Sequence, residues 1–364
     1  MAIKVKKKKS LKDKIMLTVS IVLLTVTVVL TTGVVLLESR FFKDENGLVD
    51  SQGGLLSNQQ VKTEKHTNFL VCGINEGLTD VIMVVSVNHV DNTVEVLQIP
   101  RDTFVGLGTT GKINEVYNFS NRSDSRYEEF SKLTPINRLI RIINEQYQIR
   151  IDHYATVDLV AFRNIVDAMG GIPINLPNKI KEGNITLYPG EQVLNGAQAE
   201  AVVRHRHSYV EGDIGRVKVQ RLFLASALKK VKTMGKAELV AKVLPQIYDQ
   251  FSTDMTLKEM IDFAEIVFKI DMNKVRIHII PGQGDCYYGP YNVWGVHKES
   301  TAELLNKYFR PFSDDVSAEI LPIIEIKNTG NYYEDTENDF EGLLNGEKPG
   351  GKNESEDDTE SSND

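Results

Sequence analysis

From Ile15 to Leu37 the chain runs for 23 residues without a charge. As a helix this run spans about 34 Å, enough to cross the hydrocarbon core of a bilayer. No other feature restricts the fold as strongly, because everything after it must be built on one side of a membrane. Lys14 precedes the run, and Glu38 and Arg40 follow it. Lys6, Lys7, Lys8, Lys9, Lys12 and Lys14 place the N-terminus in the cytoplasm by the positive-inside rule. A cleaved signal peptide would have a shorter apolar region ending in small residues, which Thr31-Thr32-Gly33 matches poorly. The expectation is a single-pass protein of the cell membrane. Residues 1–14 are a basic cytoplasmic segment, 15–37 a transmembrane helix and 38–66 a polar stalk, with the remainder extracytoplasmic.

Charge is distributed unevenly. The first 14 residues carry seven Lys against one Asp, while from Asn331 onward there are twelve acidic residues and two Lys. Of the total of −8, this leaves about −4 on the residues between. That balance argues against a nucleic-acid partner, and any anion bound there must meet locally placed arginines. The acidic C-terminal part, residues 313–364, is expected to be a disordered tail. Two cysteines, Cys72 and Cys286, are too few for a disulfide scaffold. Cys72 lies in the apolar run Phe69-Leu70-Val71-Cys72 and reads as a buried thiol, although a bond to Cys286 remains open at this stage.

Between the stalk and the tail, strand and helix signals alternate. Asn68 to Gly73 and Val81 to Val87 read as strands, the second buried on both faces. Asp91-Asn92-Thr93 is a turn, and Val94 to Ile99 returns. Pro135 opens a helix with Ile136, Leu139, Ile140 and Ile143 on one face. A second helix carries Leu159, Phe162, Ile165, Val166 and Met169 and stops at Gly170-Gly171. Ile172 to Leu176 and Val202 to Arg206 read as extended. Further helices are expected over about 213–231, 256–269 and 299–309, with a strand from Val275 to Ile280. This pattern predicts one layered α/β domain over residues 67–312, a central mixed sheet flanked by helices.

The sequence has no G-x-x-x-x-G-K-[ST] loop, G-x-S-x-G elbow or H-E-x-x-H pair. His205 and His207 alone are weak evidence for zinc. The arginines say more. Arg101 and Asp102 follow a strand ended by Pro100, where α/β proteins commonly place binding groups. Arg204 and Arg206 alternate along a segment read as extended, so both project to one face. Arg216 and Gln220 share a helix face, and Asp213 can cap that helix. Planar, permanently charged guanidinium groups suit phosphate oxygens. Taken singly, each arginine could equally form a surface salt bridge.

Several runs, in order, resemble the LytR-CpsA-Psr family of extracytoplasmic cell-wall proteins. They are Asp80-Val-Ile-Met-Val-Val-Ser-Val-Asn88, Val96-Leu-Gln-Ile-Pro-Arg-Asp-Thr-Phe104, Lys112-Ile-Asn114, Ile151-Asp-His-Tyr-Ala-Thr-Val-Asp158, Val166-Asp-Ala-Met-Gly-Gly-Ile172, Leu194-Asn-Gly-Ala-Gln-Ala199, Val203-Arg-His-Arg206 and Asp213-Ile-Gly-Arg-Val-Lys-Val-Gln-Arg221. The resemblance implies a phosphotransferase that moves a glycopolymer from an undecaprenyl-(pyro)phosphate carrier onto peptidoglycan. It implies that Arg101, Arg204, Arg206, Arg216 and Gln220 hold the pyrophosphate, with Arg101 and Asp102 catalytic. It also implies Asp80 as a ligand of magnesium or manganese. The apolar helix faces between 135 and 231 either enclose a prenyl chain or are plain core, and periodicity does not separate the two.

The chain departs from the family pattern at one place. The family carries Gly-x-Asp after its first strand and Arg-Ser-Asp before its second, whereas here the runs are Gly73-Ile-Asn75 and Leu78-Thr-Asp80. One carboxylate ligand has become an amide and one phosphate-binding arginine a leucine. Asn75 then remains a metal ligand only as a neutral oxygen, and the short intervening loop opens Glu76 as a substitute. The rival expectation is therefore a lipid-pyrophosphate-binding member with weak turnover and a regulatory or scaffolding role. A membrane-bound transcription regulator is the other rival, disfavoured by the domain's charge and outward topology.

Overall fold

The computed structural model describes residues 65–205, 213–247, 250–327 and 338–344. The expected transmembrane run and all but the end of the stalk lie outside these residues. Among the described residues no helix is long and apolar enough to cross a membrane.

The strands in chain order are β1 His66–Asn75, β2 Leu78–Asn88, β3 Thr93–Gln98, β4 His153–Asp158, β5 Ile172–Leu176, β6 Ile180–Glu182 and β7 Ile185–Leu187. They continue with β8 Gly190–Leu194, β9 Phe251–Thr253, β10 Val275–Ile279, β11 Gly282–Tyr288, β12 Tyr291–Val296 and β13 Asn338–Asp339. Seven of them form one mixed sheet in the order β13-β10-β3-β2-β1-β4-β9. β1–β2 and β2–β3 are antiparallel, while β1–β4 and β3–β10 are parallel. It follows that β1, β3, β4 and β10 all run the same way and share one C-terminal edge.

The first hairpin is tight because its two turn residues tolerate positive φ. Glu76 lies at +49° and Gly77 at +80°, the geometry of a two-residue turn whose twist matches its strands. Asn75 therefore pairs directly with Leu78.

Alternation along the strands sends side chains to two different packings. One face of the sheet buries Leu70, Cys72, Ile82, Val84, Leu97 and Ile99 against the Pro135–Tyr147 helix and the Lys298–Tyr308 helix. Thr134 caps the first of these helices and Pro135 occupies its first turn, as the sequence indicates. The other face carries Phe69, Val87, Val94, Val96 and Ile277, which meet Ala225 of the Asp213–Met234 helix. A third cluster gathers β5, β8 and the helices Leu159–Ala168 and Gly196–Arg204.

Two expectations are corrected and one open question is answered. Val202 to Arg206 is not extended: the helix Gly196–Arg204 runs through it and stops at His205, whose ψ is 134°. A capping box between Asn195 and Gln198 starts that helix, and it outweighs the strand preference of Val202-Val203. Arg204 therefore ends a helix instead of sharing a strand face with Arg206. The region beyond residue 313 is not all tail. Leu321 and Ile323 are buried in the main cluster, β13 pairs with β10, and Leu343 of the short helix Phe340–Leu344 is buried beneath the sheet. Cys72 and Cys286 are both free and buried in separate clusters, so no disulfide joins them.

Candidate functional site

A cavity of about 570 Å³ opens at the shared C-terminal edge of β1, β3 and β4, between the sheet and the Asp213–Met234 helix. Asn75 ends β1, Asp80 lies near the start of β2, Gln98 ends β3 and Asp158 ends β4, and all four line it with Arg101. Deeper in, the walls are apolar, formed by Met83, Phe162, Ile165, Phe223 and Leu224 among others. Cys72 reaches the cavity only by its place on β1: its thiol is fully buried on the opposite sheet face, which pushes its pKa far above the usual thiol range.

The charged rim is organised by the sheet edge. Arg101 donates through Nη1 to Asp80 Oδ1 and lies 3.8 Å from Asp102 through Nε. Asp102 is paired with Lys112 at 3.1 Å and does not line the cavity. The carboxylate expected to act chemically thus braces Arg101 from behind, and Asp80 is the one exposed to the cavity beside it. The turn that follows β3 causes this: Thr103 N–H returns to the Pro100 carbonyl and swings Asp102 off the strand line.

The opposite rim comes from helices. Arg204 lines the cavity, is about half exposed at 46 %, and donates to Glu200 at 2.8 Å. Gln220 donates to the Val203 carbonyl at 3.0 Å and accepts from Gln98 Nε2 at 2.9 Å, tying the long helix to both β3 and the end of the Gly196–Arg204 helix. Arg101, Arg204, Gln220 and Asp80 all line this one cavity, a convergence that their spacing in sequence does not show. Arg206 lies outside the described residues. Arg216 belongs to the Asp213–Met234 helix, but its side chain is outside the described set.

Four polar lining residues were not found by sequence reasoning: Gln98 and Asp158 at the strand ends, and Arg221 and Glu182. Arg221 is only 1 % exposed and lines the cavity one residue beyond Gln220. Its signal is a cation followed directly by the apolar run Leu222-Phe223-Leu224. Glu182, on the hairpin of β6 and β7, also lines the cavity and lies 3.2 Å from the buried His205. That contact gives His205 a carboxylate partner, while His207 lies outside the described residues.

The donor set for a divalent ion is small. Asn75 Nδ2 donates to Asp80 Oδ2 at 3.2 Å, and an amide turned about its last bond presents its oxygen there instead. Glu76 is exposed at the turn and does not line the cavity, so it does not replace the missing carboxylate. Asp80 and Asn75 thus fit magnesium or manganese only as one carboxylate and one neutral oxygen, which suits an ion that also takes phosphate ligands. Among the described residues, the three-member group of acidic and histidine side chains with converging ligand atoms lies elsewhere, at His297, Glu299 and Glu325.

The chain as a whole is similar to known proteins. The LytR_cpsA_psr family model covers residues 43–310. The polyisoprenyl-teichoic acid–peptidoglycan teichoic acid transferase TagU of Bacillus mycoides is 26 % identical over 250 residues, covering 66 % of this chain and 75 % of TagU. The cell wall biosynthesis protein LcpA of Corynebacterium glutamicum is 30 % identical over 263 residues, covering 65 % of this chain and 49 % of LcpA. The crystal structure of Bacillus subtilis TagV superposes with a TM-score of 0.56 at 24 % identity, covering 69 % of this chain and 98 % of that one, a likeness of fold. With about three quarters of its length matched by the family model, this chain belongs to the LytR-CpsA-Psr family.

Proposed function

We propose that this protein is a membrane-anchored phosphotransferase that moves a glycopolymer from an undecaprenyl-(pyro)phosphate carrier onto peptidoglycan. The observation that carries the reading is the cavity's mixed lining, in which Arg101, Arg204 and Gln220 stand with the apolar Met83, Phe162, Ile165, Phe223 and Leu224. Such a site matches a ligand with a phosphate head and a hydrocarbon tail, and the names of TagU and its relatives describe that chemistry.

On this reading Arg101 and Arg204 hold the phosphate oxygens, with Arg206 and Arg216 as further ligands and Gln220 as a neutral donor. An acceptor hydroxyl attacks the phosphorus next to the sugar. A new P–O bond forms, the bond to the carrier phosphate breaks, and prenyl phosphate leaves. Asp80 takes the hydroxyl proton, because it is the cavity carboxylate next to Arg101. Asp102 and Lys112 hold Arg101 at its angle. Magnesium or manganese would be held by Asp80 and Asn75, and when bound would neutralise charge developing on the phosphoryl oxygens. Buried Arg221 adds positive charge to the wall below the rim.

The Ile15–Leu37 run supports a single transmembrane anchor with the domain outside. Protease added to intact protoplasts should then remove a tag at the C-terminus, and a protected tag would overturn the topology.

The test of function uses the full-length chain in detergent, a prenyl-pyrophosphate glycolipid and peptidoglycan. Polymer should appear on the peptidoglycan together with free prenyl phosphate. Arg101→Ala or Arg204→Ala should each weaken lipid binding tenfold or more, since losing a charge-assisted hydrogen bond costs about 1.5–3 kcal/mol. Unchanged affinity in both variants would leave these arginines as salt bridges and remove the site.

A second reading, a lipid-pyrophosphate-binding member with little turnover, is favoured by one observation. The carboxylate that Asn75 meets is Asp80, and Asp80 is already paired with Arg101. Tight lipid binding without release of prenyl phosphate would decide for it.

A further inference from the structure

The cavity accounts for a lipid-phosphate donor, and an acceptor needs its own surface beside the rim. Building on the transferase reading, we propose that the outer face of the β11–β12 hairpin, made by Tyr287, Asn292 and Asp285, binds a neutral amino-sugar chain as the acceptor. The hairpin is fixed to the segment that carries Arg101. Trp294 N–H donates to the Asp102 carbonyl at 2.8 Å, and Phe104 N–H donates to the Trp294 carbonyl at 3.0 Å. On its other face Tyr288 packs on Phe104 with ring centroids 4.8 Å apart, which clamps the hairpin in place.

Tyr287 pairs with Asn292 across the hairpin, so their side chains share a face. Tyr287 is 63 % exposed, an unusual place for a ring of that size. Asp285 lies in the register shift between Gln283 and Cys286, at φ +54°, and accepts from Asn292 Nδ2 at 3.0 Å. That bond orders both polar groups beside the ring. The second carboxylate oxygen and the amide oxygen are acceptors for hydroxyl and amide protons, while the ring's flat face suits the C–H face of a pyranose. The three side chains carry one negative charge and no positive one. They therefore suit an uncharged saccharide and repel a polyphosphate polymer. The base of the hairpin meets the backbone of Asp102, which follows Arg101 in the chain.

The test uses the full-length chain in detergent and a soluble β-1,4-linked N-acetylglucosamine pentamer. Calorimetry should show the pentamer binding to wild type. Tyr287→Ala should weaken it three- to tenfold, the range of an aromatic contact, and Tyr287→Phe should keep it. In the transfer assay Tyr287→Ala and Asn292→Ala should raise the acceptor KM and leave prenyl-pyrophosphate affinity unchanged. A wild-type chain that binds the prenyl pyrophosphate but not the pentamer overturns the inference, as does a Tyr287→Ala variant equal to wild type. Pentamer binding lost in Tyr287→Ala, in a chain that does not bind the prenyl pyrophosphate, would overturn the transferase reading and leave this saccharide surface standing.

Discussion

The two faces of the central sheet are made from the same kinds of side chain and do different things. On one face Leu70, Ile82, Val84 and Leu97 interlock with Leu139, Ile140, Ile143, Leu305 and Phe309, and no gap is left between sheet and helices at these residues, which are all 2 % exposed or less. On the other face Val85, Val96 and Ile277 meet the Asp213–Met234 helix over its middle, but toward the C-terminal edge of the strands the helix and sheet part. Phe162, Ile165, Phe223 and Leu224 then line a cavity instead of filling one another's gaps. The lesson is that an apolar stripe states only that a face avoids water. Whether it closes on protein or on a ligand is decided by the spacing of the elements that carry it.

The largest effect should separate the faces directly. Leu139→Ala on the closed face leaves a void in close-packed core and should cost about 2–5 kcal/mol. Ile165→Ala on the cavity wall removes fewer contacts and should cost about 1 kcal/mol or less, while lowering affinity for the prenyl chain. Urea denaturation midpoints with an unchanged m-value would measure both. Equal costs at the two positions would mean that the cavity closes in solution.

A smaller effect belongs to the closed face alone. His66 is buried beside Ser86, with Nε2 and Oγ 2.5 Å apart, and burial lowers its pKa to about 4. The unfolded chain binds a proton near pH 6.5 that the folded chain refuses until about pH 4. Stability from this group is thus complete above pH 6.5 and is lost as pH falls toward 4, by on the order of 2–3 kcal/mol. His66→Gln should flatten that part of the stability profile. An unchanged slope between pH 6.5 and 4 would show that His66 is not the group responsible.

The smallest effect sharpens the rim of the open face. Asn75 and Leu78 stand opposite each other at the hairpin end, with Asp80 beside them. Asn75→Asp with Leu78→Arg adds a carboxylate ligand and a phosphate donor, and should increase metal-dependent release of prenyl phosphate several-fold. The wild type should respond weakly to EDTA. Wild-type turnover that is strong and insensitive to both EDTA and Asp80→Ala would remove metal and Asp80 from the mechanism together.

Local chemistry was legible along the chain. Pro135 at a helix start and Gly170-Gly171 just past a helix end mark boundaries that the structure reproduces. Arg101 after Pro100, and Arg204 and Gln220 in the later motifs, could be named as site residues because guanidinium and amide groups suit phosphate wherever they converge. Each of these signals is carried by residues within a turn or two of one another, or by a side chain's intrinsic chemistry.

What the tertiary structure alone decided concerns groups brought together over long separations. Gln98 meets Gln220 across 122 positions, and Leu321 and Ile323 return to the main core from a stretch whose acidic composition reads as tail. Asp102 has the same charge as Asp80 and stands next to Arg101 in sequence, yet a turn at Pro100 gives it to Lys112 and leaves Asp80 to face the cavity. The sequence by itself determined which groups can meet an anion and where helices start and stop, since charge and turn chemistry are local properties. Only the packing of the sheet against the Asp213–Met234 helix determined which of them share the cavity, because a gap between two elements is a distance that neither element's residues encode alone.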